Sequence, residues 1–223
     1  MDQLPSGIPL VHCKNCQHEV HLKFCPNCGQ SADTPRITGK LMWREILRVY
    51  LILDKGLIFT VKSMLMHPGL TPLSYVEGKR IRFMKPLTFI AIGSALCKAS
   101  VQKYGDDFSA QFDIREVPET LLSMILVGTV LVKMGIKNKQ FNFWEVITLQ
   151  VFIHFVFIIT VALSTFVIPS TVLPSFLICL PPIYAMYNAV AYWEFFDLKT
   201  PDTMIKATLV AAVQTMLLIH QVQ

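Results

Sequence analysis

Apolar and polar positions change rhythm twice along this chain. A polar, cysteine-bearing head comes first. From Thr38 to Met66 apolar residues recur at helical spacing: Leu41, Trp43, Ile46, Leu47, Tyr50, Leu51, Ile52, Leu57, Ile58, Val61 and Leu65. Lys40, Arg44, Glu45, Arg48, Asp54, Lys55 and Lys62 interrupt them. Beyond Pro86 the charges thin out, and apolar runs approach the roughly twenty residues that a 30 Å hydrocarbon core requires. The expected fold is therefore mainly α, a helical transmembrane bundle of about five spans. The spans read as about 86–100, 117–134, 145–168, 174–196 and 203–222.

The middle stretch carries too many charges to cross a bilayer, since each would cost about 2.5–3.5 kcal/mol at a helix centre. An amphipathic helix in the membrane interface fits it, with Trp43 and Tyr50 near headgroup level. A helical hairpin packed on the head and the bundle would leave the same pattern. Gly56 is expected to divide the stretch and His67-Pro68-Gly69 to end it. Pro181-Pro182 is expected to break the fourth span.

Charge sets the direction. Lys79, Arg80, Arg82 and Lys85 stand immediately before the first span, and positive flanks stay on the cytoplasmic side. The next loop holds Asp106, Asp107, Asp113 and Glu116 and is read as external. Lys133, Lys137 and Lys139, then Lys199 and Lys206, return to the inside. The head is thus expected in the cytoplasm and the C-terminus in the periplasm. Residues 1–85 carry 12 Lys+Arg against 6 Asp+Glu, and the remainder 8 against 9. The basic half suits anionic cytoplasmic lipid, although the positive-inside rule alone accounts for the excess. With 53% hydrophobic residues and a mean hydropathy of +0.49, an ordinary soluble domain is excluded. MDQLPSGIPL lacks the basic start, apolar segment and cleavage site of a signal peptide, so the N-terminus is expected to stay inside.

In that reducing compartment Cys13, Cys16, Cys25 and Cys28 signal metal before disulfide. Two C-x-x-C turns eight residues apart each aim two thiolates at one point and close a tetrahedral shell around Zn2+. Phe24-Cys25-Pro26-Asn27-Cys28-Gly29 is the better knuckle, because Pro26 presets the bend and Gly29 permits a positive φ. Gln17 occupies the matching place in the first. A short hairpin through Val20, His21 and Leu22 is expected between the pairs. Four thiolates leave no open position, so the zinc is structural, and His12, His18 and His21 are expected on the surface. The chain divides into a zinc ribbon (1–30), a polar linker (31–40), interfacial helices with the basic segment (41–85) and the bundle (86–223).

Polar groups at bilayer depth are the candidates for function. Gln150 and His154 share one face of the third span, Glu145 lies a turn nearer the cytoplasm, and Asn188 lies in the fourth. Interhelical hydrogen bonding is the commoner use of such residues. Cys97 and Cys179 read as packing residues. No nucleophile elbow, phosphate loop, paired intramembrane carboxylates or open metal site is present, so nothing argues for an enzyme.

Cys13-x-x-Cys16, Phe24-Cys25-Pro26-x-Cys28-Gly29-Gln30, Leu53-Asp54-Lys55-Gly56 with Thr60, Pro68-Gly69, Tyr75, Glu77-Gly78-Lys79-Arg80 and Lys85-Pro86-Leu87 together set a pattern over about the first ninety residues. It resembles an uncharacterised bacterial integral-membrane family with an N-terminal four-cysteine zinc ribbon and a domain of unknown function. The resemblance implies a bacterial inner-membrane location and a zinc site, and it implies no activity. The function expected is a non-enzymatic adaptor or regulator whose ribbon docks a protein partner at the membrane. The alternative is a small channel, transporter or membrane-perturbing effector gated by the head. Membrane lipid and a protein partner or homo-oligomer are the expected partners, in preference to nucleic acid.

Overall fold

A computed structural model describes residues 11–46, 56–111, 117–136, 140–169 and 171–222. The head opens with two short antiparallel strands, β1 (Val11–His12) and β2 (Glu19–Val20), paired Val11 to Val20 and His12 to Glu19. The hairpin therefore encloses the first cysteine pair instead of lying between the pairs. His21 and Leu22 fall outside it, because Val20 is the last residue that can face the sulfurs before the chain turns to the second knuckle. A single bridge between Phe24 and Ser31 encloses the second pair in the same way.

Helices follow: α1 (Gly39–Ile46), α2 (Leu57–Met66) and α3 (Leu70–Val76). Residues 47–55, including Tyr50, lie outside the described residues. Gly56 is the N-cap of α2 and His67 its C-cap, so a helix does begin and end at those breaks. Sequence reading missed α3, which starts directly after Pro68-Gly69. Glu194 replaces a local cap there, its Oε2 accepting from the backbone N–H groups of Gly69 at 2.8 Å and Leu70 at 3.2 Å. The helix exists because a carboxylate 125 residues away satisfies its first turn.

Five long helices occupy the apolar remainder among the described residues: α4 (Pro86–Gln111), α5 (Val117–Gly135), α6 (Phe143–Val167), α7 (Leu173–Phe195) and α8 (Pro201–Val222). The first runs well past residue 100, so Asp106 and Asp107 lie in helical backbone and not in a loop. Asp113, Glu116, Lys137 and Lys139 lie outside the described residues. Helix α7 passes unbroken through Pro181 and Pro182. Two adjacent prolines remove consecutive hydrogen bonds, but the turns on either side carry the helix across the gap. Cys179 is exposed and is not a packing residue.

The central element is α6, buried along most of its length. It carries no Asp, Glu, Lys or Arg after Glu145. Among the described residues it is the one helix long and apolar enough to cross a membrane. Asn142 and Glu145 start it with a reciprocal capping box. Helix α4 packs on α6 through Phe89, stacked on Phe155 at 4.0 Å and edge-on to Phe152 at 4.9 Å. Further along, Thr165 donates to Ser100 at 2.9 Å. Helices α5 and α7 also flank α6, and α8 packs between those two.

Candidate metal centre and buried polar ring

The two knuckles are built alike. In the first, Cys13 N–H donates to the His18 carbonyl at 2.9 Å and Gln17 N–H to the Cys13 carbonyl at 2.8 Å. In the second, Cys25 N–H donates to the Gln30 carbonyl at 2.8 Å and Gly29 N–H to the Cys25 carbonyl at 2.9 Å. Both turns need a positive φ four residues after their first cysteine. Gly29 meets it at 75°, and Gln17 adopts 62° despite its Cβ. The four Sγ atoms lie within 4.8 Å of one another. Cys13 is 3.6 Å from Cys28, and Cys16 is 3.5 Å from Cys25. These separations are close to the edge of about 3.8 Å of a tetrahedron with metal–sulfur bonds of about 2.3 Å, and far beyond a disulfide bond of about 2.05 Å. The four cysteines could hold a metal ion, and their sulfur set fits a closed tetrahedral site.

The thiols differ in acidity. A hydrogen bond from the His18 backbone is the chief reason that Cys16 is lowered to about 6, with the Asn27 side chain assisting. Burial raises Cys28 to about 11. Crowded sulfurs do not share negative charge easily, which is the electrostatic condition a cation relieves. His12, His18 and His21 are exposed, and His12 Nδ1 lies 3.3 Å from the Gln17 carbonyl. None of them belongs to the four-residue cluster.

Sequence reading took Gln30 as the end of the ribbon. It is the ribbon's attachment to the rest of the molecule. Its backbone carbonyl closes the second knuckle, and its side chain is 5% exposed. Nε2 donates to the Gly78 carbonyl at 2.6 Å, while Oε1 accepts from Arg80 N–H at 3.1 Å and Ile81 N–H at 3.3 Å. One amide thus grips both polarities of a backbone turn, as a paired strand would. Lys14 adds a bond to the Thr34 carbonyl at 2.8 Å.

Arg36 extends the attachment to the bundle. Its guanidinium meets the buried Glu145 carboxylate with two contacts, 2.5 and 2.8 Å, and also donates to the Gln140 carbonyl. The hydrogen bond with Glu145 raises the pKa of Arg36. Asn142 donates to the Ile37 carbonyl at 3.0 Å. The stretch read as a linker is therefore pinned to the first turn of α6, and Glu145 serves that joint instead of joining Gln150.

The basic quartet divides. Arg80 turns inward, bonding the carbonyls of Tyr75 at 3.2 Å and Pro35 at 2.8 Å, with its guanidinium 5.5 Å from the Tyr75 ring centre. Lys79, Arg82 and Lys85 are exposed.

Gln150 and His154 do meet, within a ring that sequence reading only half named. Gln150 Nε2 donates to the Tyr192 hydroxyl at 3.1 Å. That hydroxyl donates to Gln214 Oε1 at 2.5 Å, and Gln214 Nε2 returns to Gln150 Oε1 at 3.0 Å. Gln214 Nε2 also lies 3.4 Å from His154 Nε2, while His154 Nδ1 bonds the Gln150 carbonyl at 2.8 Å. Helices α6, α7 and α8 are joined by it, and α5 closes over it at Gly128. A Cβ at Gly128 would overlap the Gln214 amide. Asn188 stays outside the ring. It is fully buried one turn from Tyr184, and neither side chain completes a hydrogen bond of normal geometry among the described residues.

A family described as a protein of unknown function (DUF3667) matches residues 54–97, which take in α2, α3, the basic segment and the start of α4. No curated protein and no solved structure matches the chain.

Proposed function

We propose that this is a multi-span membrane protein with a cytoplasmic structural zinc ribbon, acting as a non-enzymatic adaptor or regulator. The carrying observation is the joint between ribbon and bundle, where Gln30 holds the turn at residues 78–81 and Arg36 holds Glu145. A change in the ribbon is thereby passed to the start of α6 and to the segment that leads into α4. Zinc suits four thiolates at tetrahedral spacing in a reducing compartment, and metal binding on the order of 10–16 kcal/mol would supply a fold that so small a core cannot.

The polarity of the bundle supports the membrane reading. Gln150, His154, Asn188, Gln214, Thr129 and Thr148 are inside. Leu122, Leu126, Val130 and Met134 of α5, Ile183, Met186 and Val190 of α7, and Ile205, Leu209 and Met216 of α8 are exposed. Such apolar outer faces on neighbouring helices are foreign to a water-soluble monomer and ordinary against lipid. By length, helices of 19 to 26 residues run about 28–39 Å, near the thickness of a bilayer core, and of the described helices α6 is also apolar enough to cross. The basic connections support the orientation. Phe141 between α5 and α6 packs on Phe195 and Phe196 at the end of α7, beside the Arg36 joint. Lys133 and Lys199 thus fall at the end of the bundle that carries the ribbon, in keeping with the positive-inside rule.

The test is co-purification from native membranes of wild type beside Cys25→Ser/Cys28→Ser, with bound metal and expression measured in both. A partner lost from a still-inserted, zinc-free variant is the expected result. No partner with either form removes the adaptor reading. A second reading, a small channel or transporter, draws on Asn188 and Tyr184, polar side chains buried without a completed bond among the described residues. It requires flux through liposomes that His154→Ala abolishes.

A further inference from the structure

Helix α2 has two faces. Thr60 and Met64 are buried and Leu57 and Val61 half-buried, the i, i+3, i+4, i+7 set that packs on the protein. The Tyr187 hydroxyl donates to the Met64 carbonyl at 3.0 Å and fixes that face against α7. The opposite face holds Ile58, Phe59, Lys62, Leu65 and Met66, with Ile58 82% exposed. A surface helix of a water-soluble domain turns a polar face outward. This one is apolar on both sides, and Ile58, Leu65 and Met66 of the outer face stay exposed.

The basic segment lies alongside. Met84 N–H donates to Thr60 Oγ1 at 2.9 Å, and the Phe59 and Phe83 rings sit 5.4 Å apart. Gln30 holds residues 78–81 by their backbone only, which leaves the side chains of Lys79 and Ile81 outward, with Ile81 49% exposed. Arg82 and Lys85 are exposed with them. Across residues 56–85 the one carboxylate is Glu77, against Lys62, Lys79, Arg80, Arg82 and Lys85.

We propose that the outer face of α2, with Lys79, Ile81, Arg82 and Lys85, is a docking surface for the anionic phospholipid headgroups of the bilayer. Apolar side chains enter the headgroup boundary while the cations pair with phosphate, the arrangement of an interfacial helix with a basic rim. An acidic soluble protein would satisfy the cations and leave Ile58, Leu65 and Met66 without an apolar counterpart. A second copy would set like charges against each other. Position also favours lipid. Lys85 directly precedes Pro86, the first residue of α4, so Lys79 lies within about 25 Å of that helix even along an extended chain. The proposal rests on the reading of α4 as a membrane helix.

The experiment is hydrogen exchange on the full, zinc-loaded chain in nanodiscs of phosphatidylcholine alone or mixed with phosphatidylglycerol. Wild type is compared with K79Q/R82Q/K85Q, and I58S/L65S serves as a second variant. Amides of 57–66 and 79–85 should exchange more slowly in the anionic discs, by about fivefold for each cation engaged. The slowing should vanish in high salt and in the triple variant, and weaken in I58S/L65S. Equal exchange in the two lipids overturns the proposal, as does slowing that survives the triple variant. Should the chain purify without detergent, the membrane-bundle reading falls by itself. Flotation with vesicles of the same two compositions then decides the docking surface, and equal flotation rejects it.

Discussion

Gln30→Ala isolates the joint between ribbon and bundle. The side chain makes two bonds of good length, 2.6 Å to the Gly78 carbonyl and 3.1 Å from Arg80 N–H, and two longer ones, 3.3 Å from Ile81 N–H and 3.4 Å to Thr34 Oγ1. Each is worth about 0.5–1.5 kcal/mol net, and truncation leaves the backbone groups of a buried turn without partners. Water can enter from the Ile81 side, which moderates the penalty. The expected loss is about 2 kcal/mol, confined to the turn, because the cysteine knuckle uses the backbone of Gln30 and not its side chain. Hydrogen exchange is the assay. The amides of Arg80 and Ile81 should exchange about 30-fold faster, with metal content unchanged. Gln30→Glu keeps the acceptor for both N–H groups but sets a carboxylate oxygen against the Gly78 carbonyl in a buried site, so it should cost at least as much as alanine. Unaltered exchange at Arg80 and Ile81 in the alanine variant would show that the ribbon is merely adjacent to the segment, and the coupling argument would fail.

Gln17→Gly should relieve the left-handed backbone at φ 62°. It should strengthen metal retention against a competing chelator by about 1 kcal/mol, roughly fivefold. Metal affinity should fall as pH falls, because protons compete for thiolates, and an indicator titration from neutral to below pH 6 would follow the release. In the metal-free head the lowered pKa of Cys16 contributes stability above its ordinary value, lost as pH falls through about 6. The raised value of Cys28 acts oppositely, favouring the fold at low pH and ceasing to do so as pH rises through about 11. Arg36→Ala strips its partner from a carboxylate that is 2% exposed, although Arg36 itself is 58% exposed. A cost of about 2 kcal/mol is expected, seen as faster exchange at the start of α6, and Glu145→Gln should recover part of it by removing the unpaired charge.

Features set by local chemistry were legible in the sequence. The cysteine spacing named the four sulfurs that converge, and apolar runs marked where α4–α8 lie, although α4 continues past the run through Asp106 and Asp107 to Gln111. The joints were not legible, because each is made by residues that look ordinary in their own neighbourhood. Gln30 and Gly78 are 48 positions apart, Arg36 and Glu145 are 109 apart, and Gln150 and Gln214 are 64 apart. Gln214 stands with Thr215 in the apolar second half of α8, and nothing beside it shows that two other helices supply its partners. The hairpin was misplaced for a related reason. Strand pairs of two residues have no alternation to read, and only closure around the sulfurs sets their register.

The ring at the bundle centre allows a sharper test of what its polar residues are for. Tyr192→Phe removes one hydroxyl that both accepts from Gln150 and donates to Gln214. On the proposed membrane reading, interhelical hydrogen bonds average about 0.6 kcal/mol and reach about 1.7, so losing two should cost about 1–2 kcal/mol. Gly128→Ala attacks the same ring from α5, where the new methyl displaces the Gln214 amide, and overpacking of this kind costs about 1–3 kcal/mol. If the ring is one unit, each change already breaks what the other would break. The double variant should then be less destabilised than the two effects added, by about 1 kcal/mol, in reversible unfolding of the purified protein. Strict additivity would mean that Gly128 is small for reasons unrelated to Gln214. His154→Ala belongs in the same series. It removes both the 2.8 Å bond to the Gln150 carbonyl and the 3.4 Å contact with Gln214, and it leaves a cavity at a buried site, so in a ring that serves as packing glue it should cost about 2–5 kcal/mol, more than Tyr192→Phe. A loss from His154→Ala no larger than that from Tyr192→Phe would contradict the glue argument and return attention to a conducting path.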